Sequence, residues 1–344
     1  MFVASFGVAL LLAAALLLGW ATLPASAGER RVRTELTGRE TPRETAERLV
    51  ELGLLESPRL FAVYLGWFAP GITVAGGPHL LREGLSPRRL VQRLARLPTR
   101  PSLRVTLPEG YNQLQIAERL EQNEICTAGD LRRAASDLEL LAQLGIHGSS
   151  AEGYLFPSTY ELFVNSDPKN AVRLLVAETR KRLARVDART GGALAQLAER
   201  RSFGEREVLT LASIVEREAG SPEERPLVAS VFYNRLDDPS FRPLRMLQSD
   251  PTAAYGCAIA AAPAPSCAAF TGRVTPEMLR DAANPFNTYR HAGLPPGPIA
   301  NPGEGAIEAV LRPAQSPYLY FVADGRGRHR FSRTFEEHRR AIPR

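Results

Sequence analysis

The chain opens on an unbroken apolar run, FVASFGVALLLAAALLLGWATLPASA, and charged residues begin only after it, at GERRVR. A run of this length and hydropathy spans a bilayer as a helix. Residues 1–27 are therefore expected to form a transmembrane anchor, although Ala25-Ser26-Ala27 also has the small-residue form of a signal-peptide cleavage site. Arg30, Arg31 and Arg33 follow the run and no cationic side chain precedes it. By the positive-inside rule alone, that asymmetry would put the body of the protein in the cytoplasm.

Beyond the run, apolar residues recur at helical spacing. In TPRETAERLVELGLLESPRLFAVYL, Thr41 and Glu44 form a capping box, and the pattern predicts a short helix, a break and a second helix. The element returns in LQIAERLEQNEICTAGDLRRA, where Ala117-Glu118-Arg119-Leu120 matches Ala46-Glu47-Arg48-Leu49. Between the copies lie an amphipathic helix, LSPRRLVQRLARL, and an alternating strand closed by a turn, SLRVTLPEG. Small helix–strand units of this kind resemble LysM modules, which bind cell-wall glycans, and the expected module covers 32–140.

From residue 150 the texture changes to the aromatic, turn-broken EGYLFPSTYEL and then to a long helix around AVRLLVAETRKRLARV. At the other end, YLYFVADGRGRHRFS alternates on both sides of a Gly-rich turn at Asp324-Gly325, and Thr334 with Glu337 caps a last helix. A mixed α+β domain over 150–342 is the expectation. Within it, Ser202 with Glu205 opens a helix through LTLASIVEREAG and Gly220 closes it, which puts Glu216 and Glu218 in its last turn. Both acids touch the apolar arc. Desolvation and the negative end of the helix dipole push such carboxyls toward their neutral form, the state a general acid needs near neutral pH, and Glu218 is nearer the end. Surface pairing with Arg217 and Arg225 is the competing use of these acids. A second capping box, Ser221 with Glu224 and Pro222 at the first position, starts the helix SPEERPLVASVFYNRL.

With 344 residues, 44% hydrophobic and 23% charged, the chain can bury more than one small core. Its net charge of +6 comes almost wholly from arginine, yet no zinc-finger spacing, RNP-type aromatic run or basic helix points to a nucleic acid. Metal-ligand spacing, a G-x-S-x-G elbow and a phosphate-binding glycine loop are also missing from the sequence, so no metal and no cofactor is expected. Cys257 and Cys267 flank a Pro/Ala-rich loop that a disulfide would staple, which suits an oxidising compartment; Cys126 is left as a small buried apolar residue.

Several segments, in order, carry a resemblance: EGYLFPSTYEL (152–162), LASIVEREA (211–219), VASVFYNRL (228–236), LQSDPTAAYG (247–256), FNTYRHAGLPPGPIANPG (286–303) and YLYFVADGRGRHRFSRTFEEH (318–338). Together they resemble the YceG-like endolytic murein transglycosylases. The chain departs from that family's pattern at Ser158, where Asp is common, at Phe286, where Tyr is common, and in the GCAIAAAPAPSCAAF insertion, which bears on the rim of the cleft. The family's catalytic glutamate falls on Glu218.

The resemblance implies a lyase that cuts the β-1,4 bond between N-acetylmuramic acid and N-acetylglucosamine within glycan strands, leaves a 1,6-anhydro end and ends strand elongation. Protonated Glu218 would serve the leaving oxygen, and its carboxylate would then take the proton of the muramoyl 6-hydroxyl. Gln248, Asn287 and Tyr289 are the expected sugar-positioning groups, with Tyr154 beside them, and Asp250 and Glu152 are the acids on hand were the reaction a hydrolysis. Peptidoglycan strands, one membrane span and penicillin-binding synthases are the expected partners. The body would face the periplasm from the inner membrane. A muramidase acting on the same bond, and a non-catalytic wall-binding anchor, are the rival readings.

Overall fold

The computed structural model describes residues 2–24, 28, 30–69, 72, 74–95, 102–259 and 264–342, with the side chains of 2–11 and of Leu80 outside the description. The chain divides into two compact units, 1–102 with 163–166, and 103–162 with 167–344.

In the first unit the apolar run folds as helix α1, Phe2–Thr22. Among the described residues no helix is long and apolar enough to cross a membrane. The Ala25–Ala27 triplet lies outside them. Strand β1 (Arg31–Leu36), helices α2 (Pro42–Glu51) and α3 (Pro58–Phe68), strand β2 (Gly77–Arg82) and helix α4 (Pro87–Ala95) complete the unit. The strands pair antiparallel, Arg31 opposite Arg82 and Leu36 opposite Gly77. Helix α2 starts with the expected capping box, Thr41 accepting from Glu44 N–H while the Glu44 carboxylate accepts from Thr41 N–H at 2.7 Å. Apolar positions on the inner faces, among them Leu49, Phe61, Leu81, Leu90 and Leu94, share one core with Leu17 and Ala21 of α1.

The second unit begins with strand β3 (Ser102–Thr106) and helices α5 (Gln113–Gln122), α6 (Ala128–Ala135) and α7 (Leu138–Gln143), followed by strand β4 (Thr159–Phe163), which pairs with β3. Ile116, Leu120, Leu131 and Leu140 enter the same core as Leu155, Leu175, Ile214 and Phe232. The two copies of the A-E-R-L element thus lie in different cores, and residues 103–140 fold with the second unit. Apolar contact across the whole unit, not sequence likeness, draws that boundary.

Then come α8 (Pro168–Arg189), α9 (Ala193–Arg201), α10 (Glu205–Glu218), a 3-10 turn (Pro222–Glu224), α11 (Arg225–Asp237), α12 (Asp250–Ile259), a second 3-10 turn (Pro265–Ala269), α13 (Pro276–Arg280) and α14 (Glu304–Leu311). The antiparallel hairpin β5 (Tyr320–Ala323) and β6 (His329–Ser332) and helix α15 (Phe335–Ala341) end the unit. The expected α+β class holds, with small two-stranded sheets rather than one extended sheet.

Helix α10 is the central element. Val208, Leu209, Leu211, Ala212, Ile214 and Val215 are wholly buried, and the helix packs against α11, α12 and α14. Each such large aliphatic side chain contributes roughly 1.5–3 kcal/mol by leaving water, so the position of its last turn is tightly fixed. Its caps differ from the sequence expectation. Ser202 adopts a left-handed φ of 57° and closes α9, while Gly204 caps α10 by donating its N–H to Glu207 at 2.8 Å. The serine was one short turn too early because α9 ends directly before α10.

Candidate active site

Helix α10 stops at Glu218 because Ala219 turns extended and Gly220 must pass close to the hairpin: a β-carbon at Gly220 would meet Gly327 O at 2.6 Å. The two acids of the last turn then part company. Glu216 is sealed in an ion pair with Arg225 at 2.7 Å, with side chains 7% and 15% exposed, and accepts Gly303 N–H at 3.1 Å. Burial raises its pKa while Arg225 and Gly303 pull it back. Glu218 faces a cavity of about 510 Å³ instead.

Glu218 is half-buried as a residue, yet the desolvation of its carboxyl is the leading cause that lifts its pKa, joined by the neighbouring Asp250 charge. Opposing that rise, Ser249 Oγ donates to Glu218 Oε1 at 2.6 Å, and the Arg235 charge favours ionisation.

Two polar turns position Ser249. Its N–H donates to Thr288 Oγ1 at 3.0 Å, Gln248 N–H donates to Thr288 O at 3.1 Å, and Thr252 Oγ1 donates to Ser249 O at 2.6 Å. This zipper holds Gln248 at a φ of 52°, a left-handed conformation that costs a non-glycine residue about 1 kcal/mol or more and is kept where surroundings enforce it. The Gln248 side chain lines the cavity, as do Asp250 and Tyr289, whose hydroxyl donates to Asp250 Oδ1 at 2.7 Å.

The opposite wall is aromatic. Tyr320 and His338 stack with centroids 5.4 Å apart, and Phe335, 58% exposed, lies 5.9 Å from Tyr320. Arg235 spans the floor, donating to Leu319 O at 2.7 Å and to Leu247 O, with Tyr320 and Phe321 rings near its guanidinium. Burial pulls its pKa down to about 10, so the group stays cationic at neutral pH.

Of the residues singled out from sequence, Glu218, Gln248, Asp250 and Tyr289 converge on one cavity. Glu152, Tyr154 and Asn287 do not. Glu152, 1% exposed, receives Gln113 N–H at 2.9 Å, Asn301 Nδ2 at 2.7 Å and Tyr255 Oη at 3.0 Å, and burial pushes its pKa up to about 7. Tyr154 is 2% exposed in the core. Asn287, fully buried, donates to Met278 O, Leu279 O and Asp281 O, which pins the loop after α13. Enclosed in the core, these three residues hold the fold together: Glu152 is not an acid of the cavity, and Tyr154 and Asn287 are not sugar contacts.

Ser249, Arg235, Tyr320 and His329 were not picked out from the sequence; each sits inside a quoted motif, but a motif does not say which of its side chains points at the acid. Cys257 and Cys267 are joined in a disulfide, Cα atoms 5.1 Å apart, and Cys126 is buried outside any disulfide. Residues 260–263 of the loop between them lie outside the described residues. Among the described residues no three His, Cys, Asp or Glu side chains group as a metal site.

A larger cleft, about 890 Å³, runs along another face of α11. Its acid, Asp237, is ion-paired with Arg201 and exposed, so it offers no desolvated proton donor. The smaller cavity is the one with chemistry.

A desolvated acid at a helix end, walled by polar turns on one side and aromatic rings on the other, defines an enzyme that works by proton transfer on a polar substrate. The YceG-like family matches residues 35–344, and the chain belongs to that family. It is 28% identical over 306 residues to the endolytic murein transglycosylase of Bacillus subtilis, covering 84% of this chain and 77% of that protein. To the protein of the same name from Streptococcus pneumoniae it is 27% identical over 327 residues, 87% of this chain and 55% of the relative. A crystal structure of a YceG-like protein from Listeria monocytogenes superposes with a TM-score of 0.58 at 26% identity, over 91% of this chain and all of that one. With these relatives, the chain is an enzyme of the lyase type.

Proposed function

We propose that the protein is an endolytic peptidoglycan lytic transglycosylase that cuts the β-1,4 bond between N-acetylmuramic acid and N-acetylglucosamine within strands and leaves a 1,6-anhydro end. The observation that carries this is Glu218: it combines a desolvated carboxyl, a hydroxyl donor at 2.6 Å and a cavity wide enough for a sugar ring. Protonated Glu218 gives its proton to the glycosidic oxygen, and the leaving sugar departs. The muramoyl 6-hydroxyl oxygen then closes on the anomeric carbon as its proton passes to a base lining the cavity, so no water is consumed. Arg235 and Ser249 stabilise the carboxylate that the first step creates. Gln248, Asp250 and Tyr289 supply hydrogen bonds to sugar hydroxyls and amides, and Tyr320 and Phe335 offer ring faces for stacking.

Digestion of purified peptidoglycan by the full-length protein, with products read by mass, tests this. Anhydro ends are lighter by one water than hydrolysed ends. Release of only hydrated ends would favour the muramidase reading, for which Asp250, held by Tyr289 in the same cavity, would be the second acid.

The same proposal places the enzyme at the inner membrane, anchored by the apolar stretch of residues 1–27 with its body in the periplasm, beside the synthases whose strands it ends. Support comes from the composition of α1 and from the disulfide between Cys257 and Cys267, which needs an oxidising compartment. The LysM-like resemblance within 32–140 supports a strand-holding role for that region. A reporter fused at Arg344 and active only in the cytoplasm would overturn the placement.

A further inference from the structure

His329 opens β6 and lines the same cavity as Glu218. Glu224 grips it twice. The main-chain N–H of His329 donates to Glu224 Oε1 at 2.8 Å, and the ring Nδ1 lies 2.9 Å from Glu224 Oε2. A carboxylate can only accept, so Nδ1 carries a proton, and in the neutral ring Nε2 is left as an acceptor. No partner for Nε2 occurs among the described residues, and with Nδ1 turned to Glu224 it is the edge left for the cavity. The ring is also wedged edge-on against Phe321, centroids 5.2 Å apart, with its side chain 12% exposed.

This grip explains a departure from the expected helix start. Ser221 makes no side-chain cap, and Glu224, the acid of the anticipated capping box, reaches across to the hairpin instead. The hairpin in turn is held where it stands: Asn234 Nδ2 donates to Ser316 O and Tyr318 O at 2.8 Å each, and Gly327 O presses against Gly220, two residues beyond Glu218.

We infer that His329 is the base that takes the proton of the muramoyl 6-hydroxyl, with Glu224 fixing its tautomer, so that Glu218 serves as the acid alone. The inference rests on the transglycosylase reading above. Glu218 gives its proton to the glycosidic oxygen as the bond from the anomeric carbon to that oxygen breaks. The 6-oxygen then bonds to the anomeric carbon from the face the leaving sugar vacates, and its proton passes to Nε2. Imidazolium and carboxylate exchange that proton through cavity water, which restores both groups. Attack from the vacated face requires acid and base on one side of the ring, as two residues lining one cavity can be. The carboxylate–imidazole–hydroxyl line is the arrangement by which other enzymes activate a hydroxyl.

The test uses the full-length protein and measures anhydro-ended products from purified peptidoglycan. His329→Ala and His329→Gln are expected to lower turnover by about 100-fold, the usual worth of a general base, at little-changed KM. Imidazole added to His329→Ala restores part of the rate and leaves wild type and Glu218→Gln unaffected. Glu224→Gln slows turnover without changing KM. Release near the wild-type rate by either His329 variant, or a slow His329→Ala that imidazole does not accelerate, overturns the inference and reduces the Glu224–His329 pair to a clasp for the hairpin. A wild type that forms no anhydro ends removes the transglycosylase reading, and this inference with it; active Glu218→Gln does the same, independently of His329.

Discussion

The two flanks of the last turn of α10 carry the same residue type two positions apart and use it in opposite ways. On one flank Glu216 meets Arg225 and Gly303 N–H with little solvent near it. On the other, Glu218 has a neutral hydroxyl, a guanidinium held by carbonyls and an open cavity. A close cation makes a carboxylate a strut, because losing its charge would strand the partner. A desolvated carboxyl without a bonded cation keeps its proton easily and can give it away. The contrast teaches that the helix end supplies the electrostatic bias to both acids, and that the neighbours from distant segments determine which one becomes chemistry.

Substitutions can break this comparison. The largest effect is expected from Glu218→Gln, which should cut product release by about 100-fold or more and leave the thermal unfolding midpoint near wild type. Glu218→Gln that still releases anhydro ends would remove the assignment. Glu216→Ala inverts the pattern: it takes the acceptor from Gly303 N–H and leaves Arg225 to the half-exposed Glu109 at 3.1 Å, which should cost about 1–3 kcal/mol of stability, read by denaturant unfolding, while the protein that remains folded keeps at least part of its activity. Should Glu216→Ala be fully folded and inactive, the two roles must be exchanged.

Glu152→Ala, which leaves three buried donors from Gln113, Asn301 and Tyr255 without their acceptor, should destabilise by about 3 kcal/mol. Unfolding measurements at saturating signal check it, and a neutral result would mean the network repacks.

Smaller shifts sharpen the comparison. Because burial raises the pKa of Glu218 and the acid must be protonated to act, turnover should fall as pH rises through that raised value. The charge of Asp250 pushes this pKa up, so Asp250→Asn should move the alkaline fall to lower pH. Ser249 stabilises the carboxylate, so Ser249→Ala should move it to higher pH. Shifts of the same sign in both variants, in pH profiles of turnover, would contradict the electrostatic account.

Much of this was legible along the chain because it is local. The capping boxes at Thr41/Glu44 and Thr334/Glu337, the hairpin turn after Ala323 and the placing of Glu216 and Glu218 in one last turn depend on neighbours within a few residues. The failures are equally instructive. Ser221/Glu224 has the same local signature as the boxes that formed, yet His329, distant in sequence, offered Glu224 two stronger partners. Glu152, Tyr154 and Asn287 have the polar or aromatic character of sugar contacts, and nothing in their own segments says that each is enclosed by the core.

The sequence by itself determined the α+β class, the helices and turns that carry the acids and, through ordered motifs, the YceG-like family. Only the tertiary structure decided where one core ends and the next begins, which acid is a strut and which a proton donor, and which side chains of each motif reach the cavity. Periodicity and capping are set by contacts a turn away, whereas desolvation and charge pairing depend on what the folded chain brings from far along its length, such as Ser249 and His329 to Glu218.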